Sequence, residues 1–187
     1  MTAPALDGSM KLLLSLSGKS DAEHAAVLAK TGFWGLRGAG FVVMSATTGR
    51  ILLPLRSDKV QEPNTWGTWG GAVDSGEGIL PAALRELREE SGYKKYPLLV
   101  EELFRYVSGT FVYTTFLAVV DNEFKPELRD GETSRAQWFD LNHLPDNLHF
   151  GLRAVLDDWK AASVLKKSRG RYAARMVRTL PNVSSNR

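Results

Sequence analysis

The alternation of apolar and polar residues predicts short strands along much of the chain. Runs rich in β-branched and aromatic residues are typical of strands. Five such runs occupy residues 38–44, 50–55, 98–107, 110–120 and 137–139. Turn residues at 47–49 separate the first two runs and predict a hairpin there. The glycine-rich segment 64–76 predicts loop and turn with room for one short strand.

Helical periodicity and capping residues predict three helices. They span Asp21 to about Lys30, Leu80 to Ser91, and Leu152 to about Lys167. Ser20 and Glu23 form a capping box before the first helix, and Pro81 and Gly92 suit the two ends of the second. The third carries an apolar stripe that includes Trp159. This order of elements predicts an α/β fold with a mixed sheet flanked by helices.

The second helix carries a cluster of acidic residues. At about 100° per residue, Leu84 and Leu87 lie within about 60° of Leu80, which predicts an inward apolar side. Three glutamates fall between about 180° and 280°, on the side away from that stripe. They are Glu86, Glu89 and Glu90. One interpretation is a solvated acidic face relieved by neighbouring arginines, and the other is a site for a hard cation such as Mg²⁺ or Mn²⁺.

Composition excludes several classes of protein and site. With 43% hydrophobic and 24% charged residues among 187, the chain is typical of a globular domain. The absence of cysteine excludes disulfides, thiolate metal sites and cysteine nucleophiles, and it fits the reducing cytoplasm, where we expect this protein. The three histidines lie far apart, which argues against a histidine-rich zinc site. Apolar runs fall short of the ~18 residues of a membrane span, so we expect no membrane partner.

Charge is distributed unevenly along the chain. The net charge is +3, yet residues 160–187 hold eight Lys or Arg and no acidic residue, which leaves −5 for residues 1–159. We therefore divide the chain into an N-terminal extension with a short helix at 1–35, a central domain at 36–165 and a basic C-terminal tail at 166–187. The tail is either solvated or makes a weak contact with nucleic acid.

The spacing around the second helix is the most specific signal in the sequence. Gly71 is followed after five residues by Glu77, and after seven more by Arg85-Glu86-Leu87-x-Glu89-Glu90-x-Gly92-Tyr93. Seven specified residues, each at a frequency of roughly 0.07, coincide by chance about once in 10⁸ windows. The segment resembles the signature of the Nudix hydrolase family. The resemblance implies an α/β/α sandwich and a metal-dependent hydrolase of nucleoside diphosphates linked to another group.

The resemblance also implies roles for individual residues. The metal ligands would be the carboxylates of Glu86, Glu89 and Glu90 with the carbonyl of Gly71, holding Mg²⁺ or alternatively Mn²⁺. Arg85 would pair with Glu77 and orient the helix, next to the three catalytic glutamates. Glu132, six residues before Trp138, matches the loop position of a general base, and a glutamate of the helix is the alternative.

Substrate contacts follow less directly from the sequence. Arg56, at the end of the second predicted strand, resembles a position that holds a substrate phosphate. The aromatic rings of Trp66 and Trp69 are candidates for stacking on a nucleobase. We expect a small nucleotide as the substrate, and a homodimer is one option for assembly. Two alternative functions stay open: a non-catalytic Nudix-fold module that binds a nucleotide or protein, and an RNA-end hydrolase that uses the basic tail.

Overall fold

A mixed six-stranded sheet forms the centre of the described chain, which in this computed structural model comprises residues 36–128 and 131–179 together with Ala26 and Ala29. The strands are β1 (Arg37–Ser45), β2 (Ile51–Arg56), β3 (Trp69–Ala72), β4 (Leu99–Ser108), β5 (Phe111–Val120) and β6 (Thr133–Phe139). Their order is β4-β5-β1-β2-β6, and β3 pairs with β1. The pair β1–β5 is parallel and the other pairs are antiparallel. The five predicted strands, the hairpin and the additional short strand are thereby confirmed.

Helices cover both faces of the sheet. They are α1 (Ile79–Ser91), α2 (Phe150–Asp157) and α3 (Trp159–Thr179). On one face, Leu87 of α1 packs with Phe41 and Phe116 of the sheet. On the other face, Leu152 of α2 and Leu165 of α3 pack in a second core with residues of β1, β2 and β5. This is the predicted α/β/α sandwich, and within the described ranges no helix is long and apolar enough to cross a membrane.

The prediction of one continuous helix over 152–167 is wrong. The chain leaves the helical conformation at Asp158, whose backbone is extended and whose carboxylate accepts a hydrogen bond from Ala161 N at 2.8 Å. Aspartate at this place caps a new helix, which competes with continuation of the old one. The break also turns Trp159 outward, leaving it 74% exposed. The predicted helix at 21–30 falls outside the described residues, apart from Ala26 and Ala29, which are helical.

The first half of the basic tail is part of α3. The helix continues from Trp159 through Thr179, so it crosses the proposed boundary between domain and tail. Ser168 is buried, and the guanidinium of Arg169 donates to both carboxylate oxygens of Asp140, at 2.8 and 3.2 Å. Arg169 therefore fixes the helix to the end of β6 and is engaged within the fold.

Candidate active site

Glu86 and Glu90 lie on the side of α1 that packs against β3. Gly70 N donates to Glu90 Oε2 at 2.9 Å, and a Cβ built on Gly71 would fall 2.8 Å from Glu86 Oε1. The expectation that these two glutamates face away from the buried side is wrong. The buried residues of the helix are Ala82, Ala83, Leu87 and Ser91, whereas Leu80 is 36% exposed. The buried side is thus rotated by about 40° from Leu80, towards the two glutamates.

Small residues explain this rotation. Ala82 and Ala83 allow the helix to approach the glycine pair Gly70-Gly71 of β3 closely, so that carboxylates reach the strand backbone. The strand is itself held close to β1, because a Cβ on Gly70 would lie 2.3 Å from Ala39 O. Any side chain at Gly70 would separate the two strands. The glycine pair therefore lets α1 lie close enough to place Glu86 and Glu90 against β3.

Arg85 connects the carboxylates of this site. Its Nη1 donates to Glu86 Oε1 at 2.8 Å and to Glu89 Oε2 at 3.1 Å. Its Nε and Nη2 donate to the two oxygens of Glu77 at 3.1 and 2.9 Å, and Nη2 also donates to Ala72 O. These bonds raise the pKa of Arg85, and the hydrogen bond from Arg85 lowers the pKa of Glu77. The pairing of Arg85 with Glu77 that the resemblance implies is present.

Glu86 is a carboxyl group largely removed from water. Burial raises its pKa to about 7, Arg85 opposes that shift, and the charges of Glu89 and Glu132 add to it. Only 16% of its side chain is exposed, against 59% for Glu89. A buried carboxylate among like charges is costly unless a cation balances it.

The chemistry of these side chains suits a hard cation. Within residues 36–128 and 131–179, no three acidic or histidine side chains converge on one point, because Glu86 and Glu89 contact Arg85 and Glu90 contacts Gly70. Their donor atoms are nonetheless all oxygens, which Mg²⁺ and Mn²⁺ prefer. The desolvated carboxyl of Glu86 beside other acidic groups is the structural feature that fits a bound cation.

Arg56 and Glu132, which are distant in sequence from the helix, come to the same site. The strand pairing shifts between Leu55 and Arg56, and Arg56 Nε donates to Gln61 O at 2.7 Å. Burial lowers the pKa of Arg56, while the charges of Glu132 and Glu90 act in the opposite direction. Ser57 N donates to Glu132 O at 2.7 Å, which ties the Glu132 loop to the end of β2. The sequence therefore identified two residues that the fold brings near the acidic helix.

The two candidate tryptophans are core residues, and the prediction that they stack on substrate is wrong. Trp69 is fully buried, and its indole N–H donates to Leu52 O at 3.0 Å. Trp66 is 3% exposed, with its ring 4.7 Å from that of Phe139 and covered by the guanidinium of Arg135 at 5.1 Å. Neither ring has a face that a ligand can reach.

Sequence reasoning assigned no role to two hydroxyl groups beside the site. The Tyr113 hydroxyl lies 3.4 Å from Thr68 Oγ1. A Cβ on Gly40 would fall 2.4 Å from this hydroxyl, and one on Gly70 2.7 Å from it. Burial raises the pKa of Tyr113, and Glu90 and Glu86 raise it further, so the phenol remains a proton donor. The sequence feature that corresponds to this arrangement is the pair Gly38 and Gly40 in β1, which leaves room for the Tyr113 ring.

His149 at the start of α2 gives the fold a dependence on pH. Its Nδ1 accepts from Gly151 N at 3.1 Å, and burial together with the nearby charge of Arg56 lowers its pKa to about 4. Because the pKa in the folded state is below the ordinary value of 6.5, the neutral ring stabilises the fold above pH 6.5. That stability is lost as the pH falls through 4.

His149→Asn keeps an acceptor for the helix cap and removes the titrating ring. We expect the parent to lose about 1–2 kcal/mol of unfolding free energy relative to this variant between about pH 7 and about pH 4.5, after allowance for the partial exposure of the ring. Urea unfolding at the two pH values measures the difference. Equal losses in parent and variant would contradict this role of His149.

Known proteins resemble this chain in sequence and fold. The family model of the NUDIX domain matches residues 35–159. The nucleoside triphosphate pyrophosphatase/Nudix hydrolase fusion protein of Bifidobacterium longum is 28% identical over 134 residues, which are 67% of this chain and 27% of that longer protein. The oxidized purine nucleoside triphosphate hydrolase of Danio rerio is 32% identical over 111 residues, 56% of this chain and 67% of that protein.

A solved structure supports the same fold. The MutT NUDIX hydrolase from Burkholderia pseudomallei superposes with a TM-score of 0.52 at 24% sequence identity. The match covers 67% of this chain and 98% of that one. At this identity the comparison establishes the architecture of the chain.

Proposed function

The chain belongs to the Nudix hydrolase family, and on that premise we propose that it hydrolyses the diphosphate linkage of a small nucleotide with a bound Mg²⁺ ion. The general class is a hydrolase of nucleotide pyrophosphates. Among nucleoside diphosphates linked to a further group, we propose nucleoside triphosphates as the first to test. The name of the Danio rerio relative contains this substrate class, which supports the choice.

The desolvated carboxyl of Glu86, packed with Glu90 against the glycine pair of β3, is the observation that carries this proposal. A solvated acidic face would leave its carboxylates in water and would not bury one of them among like charges. A non-catalytic binding module is the alternative, and it has no need of three glutamates on one helix. The complete set therefore favours an enzyme.

The residues of the chain divide between the cation and the phosphates. We propose that Glu86, Glu89, Glu90 and the carbonyl of Gly71 hold the cation, which when bound neutralises phosphate charge and acidifies an attacking water. Mn²⁺ is the alternative ion. Glu132 is the proposed acceptor of the proton of that water, because its charge acts on both Arg56 and Glu86.

Arg56 is the proposed phosphate ligand. Burial lowers the pKa of Arg56. Among the described residues the one hydrogen bond of its guanidinium runs from Nε to Gln61 O, which leaves the two terminal nitrogens without a hydrogen-bond partner. A guanidinium presents these nitrogens as a fork that matches phosphate oxygens. The hydroxyls of Tyr113 and Thr68 add two neutral donors nearby. Phosphate would thus lie between donors and the acidic helix.

A panel of substrates with and without Mg²⁺ tests this function. The panel contains nucleoside triphosphates, nucleotide sugars, dinucleoside polyphosphates, capped RNA and phosphomonoesters, and released phosphate and nucleotide are measured. We expect cleavage of a diphosphate-containing nucleotide that stops on chelation. Activity on phosphomonoesters alone would refute the proposal, and nucleotide binding without cleavage would favour the binding module.

The same panel tests whether the basic tail directs the enzyme towards RNA. Preference for capped RNA over every small nucleotide would favour the RNA-end hydrolase. We propose small nucleotides, because residues 1–159 carry a net charge of −5 and offer little attraction to a long phosphate backbone. Arg169, one of the basic residues of the tail, is already paired with Asp140.

A further inference from the structure

Strand β4 forms one edge of the sheet. It pairs with β5 on one side, and among the described strands none pairs with its other side. The strand is ten residues long, so its outer side presents a long row of backbone N–H and C=O groups. Such an edge is a template for pairing with another chain, and proteins usually shorten it, cover it or place charges on it. The side chains of β4 therefore decide what can pair with it.

A β-bulge in the middle of β4 changes which side chains share a face. Around Leu103 the pairing with β5 is irregular, and in this fully described pair of strands Leu103 has no directly opposite residue. Before the bulge Glu102 lies opposite Phe116, and after it Arg105 lies opposite Thr114. Phe116 belongs to the core on the α1 side of the sheet, and Thr114, two positions earlier in β5, points to the same side. Glu102 and Arg105 therefore share this face although they are three positions apart.

The α1 face of β4 is self-complementary. Its side chains read valine, acid, base, valine along the strand, at Val100, Glu102, Arg105 and Val107. Glu102 and Arg105 are each about half exposed and bond to each other at 3.1 Å, and Val107 is 61% exposed. A two-fold axis between residues 103 and 104 exchanges the two halves of this pattern. Strand β4 thus fits a second copy of itself that runs in the opposite direction.

We propose that two copies of this chain associate by antiparallel pairing of their β4 strands, which joins the two sheets. Glu102 then lies opposite Arg105 of the second copy, and Val100 lies opposite Val107 of the second copy. Opposite charges on facing strand positions attract, and the two pairs form a closed ring of alternating charge. Each valine pair also covers the exposed side of Val107. This inference is independent of the proposed catalytic function.

Neighbouring registers of this pairing are unfavourable. A shift by one residue would set side chains of the α1 face opposite side chains of the other face, because successive residues of a strand alternate between faces. A shift by two residues would set Arg105 opposite Val100, or Glu102 opposite Val107, and would separate the charges. The bulge and the charged pair therefore protect the edge from indiscriminate pairing while favouring a single register.

Exchange of charge between two variants tests this interface. One strand pair buries less area than a standard interface, so we expect a Kd on the order of 10 µM, measured by sedimentation equilibrium of the full chain. Glu102→Arg and Arg105→Glu each set like charges opposite each other at two points and should each weaken association about tenfold or more. An equimolar mixture of the two variants restores opposite charges at both points and should associate at least as tightly as the parent.

The mixture also controls for folding, because one variant cannot repair a folding defect of the other. Arg105→Lys, which keeps the charge, and Asp157→Arg, an acid-to-arginine change at an exposed position of α2, should associate like the parent. A parent that stays monomeric well above the expected Kd would overturn the proposal. A mixture that associates no better than the separate variants would overturn it as well.

Cysteine cross-linking tests the register. The chain has no cysteine of its own, so a mixture of Val100→Cys and Val107→Cys has no competing thiols. Facing positions of an antiparallel pair are close enough for a disulfide, and we expect the two variants to cross-link with each other under mild oxidation. Each variant alone should stay largely uncross-linked, because its two cysteines lie at opposite ends of the paired strands. Equal cross-linking in the mixture and in the separate variants would contradict this register.

Discussion

Glu86→Gln and Glu90→Gln should each lower kcat for nucleotide hydrolysis by at least about 100-fold at saturating Mg²⁺, and Glu89→Gln should do the same. Each change removes one negative ligand from the cation that has to offset the diphosphate charge, and losses of this size follow removal of one well-placed catalytic group. Initial rates over a range of Mg²⁺ concentrations measure the effect. Glu101→Gln, an exposed glutamate of β4, is the matched control and should keep the parental rate.

The metal-free stability of these variants separates a cation site from a solvated acidic face. In Glu86→Gln the new amide oxygen can still accept from Arg85, and the side chain carries no buried charge. This variant should therefore melt in chelator at the same or a higher temperature than the parent. An amide oxygen at position 90 can likewise accept from Gly70 N. Near-parental turnover in all three variants would remove the glutamates from the reaction and favour the binding module.

The spacing of the motif predicted the acidic helix, but not how that helix packs. A helical wheel centred on Leu80 gives most weight to the large leucine side chains, whereas the structure also buries the small residues Ala82 and Ala83. Close packing of a helix on glycine depends on small side chains, which carry little hydrophobic signal. The buried position of Glu86 therefore emerged only from the contact between α1 and β3.

The positions of the residues proposed to contact the substrate depend on contacts between segments that are distant in sequence. Trp66 and Trp69 were chosen for their ring type and nearness to the motif, yet both fill the core. Tyr113 reaches the site only through the register that sets β5 beside β1. No local pattern in the sequence encodes that register, because it is set by the pairing of whole strands.

Arg85→Lys should destabilise the fold by about 2 kcal/mol in the absence of metal, although it preserves the charge. Arg85 is 29% exposed and makes hydrogen bonds to three carboxylates and the carbonyl of Ala72 from three nitrogens. The single ammonium of lysine cannot reproduce this fork, so Glu77 and Glu86 would lose donors while remaining partly buried. Urea unfolding at neutral pH measures the loss.

The control for this prediction is Arg105→Lys, which changes the same residue type in an exposed pair with Glu102 on β4. Exposed pairs contribute little, so its expected loss is below about 0.5 kcal/mol. Equal losses in the two variants would show that Arg85 acts only as a surface charge. We expect a larger loss of unfolding free energy in Arg85→Lys together with a kcat reduced about tenfold, and an unchanged melting temperature in Arg105→Lys. That result would show that the fork geometry of the guanidinium orients the glutamates of α1. The hydrogen bonds of Arg85 to Glu77 and Ala72 lead to that expectation, because they anchor the guanidinium to the loop and to β3 while its third nitrogen holds Glu86 and Glu89.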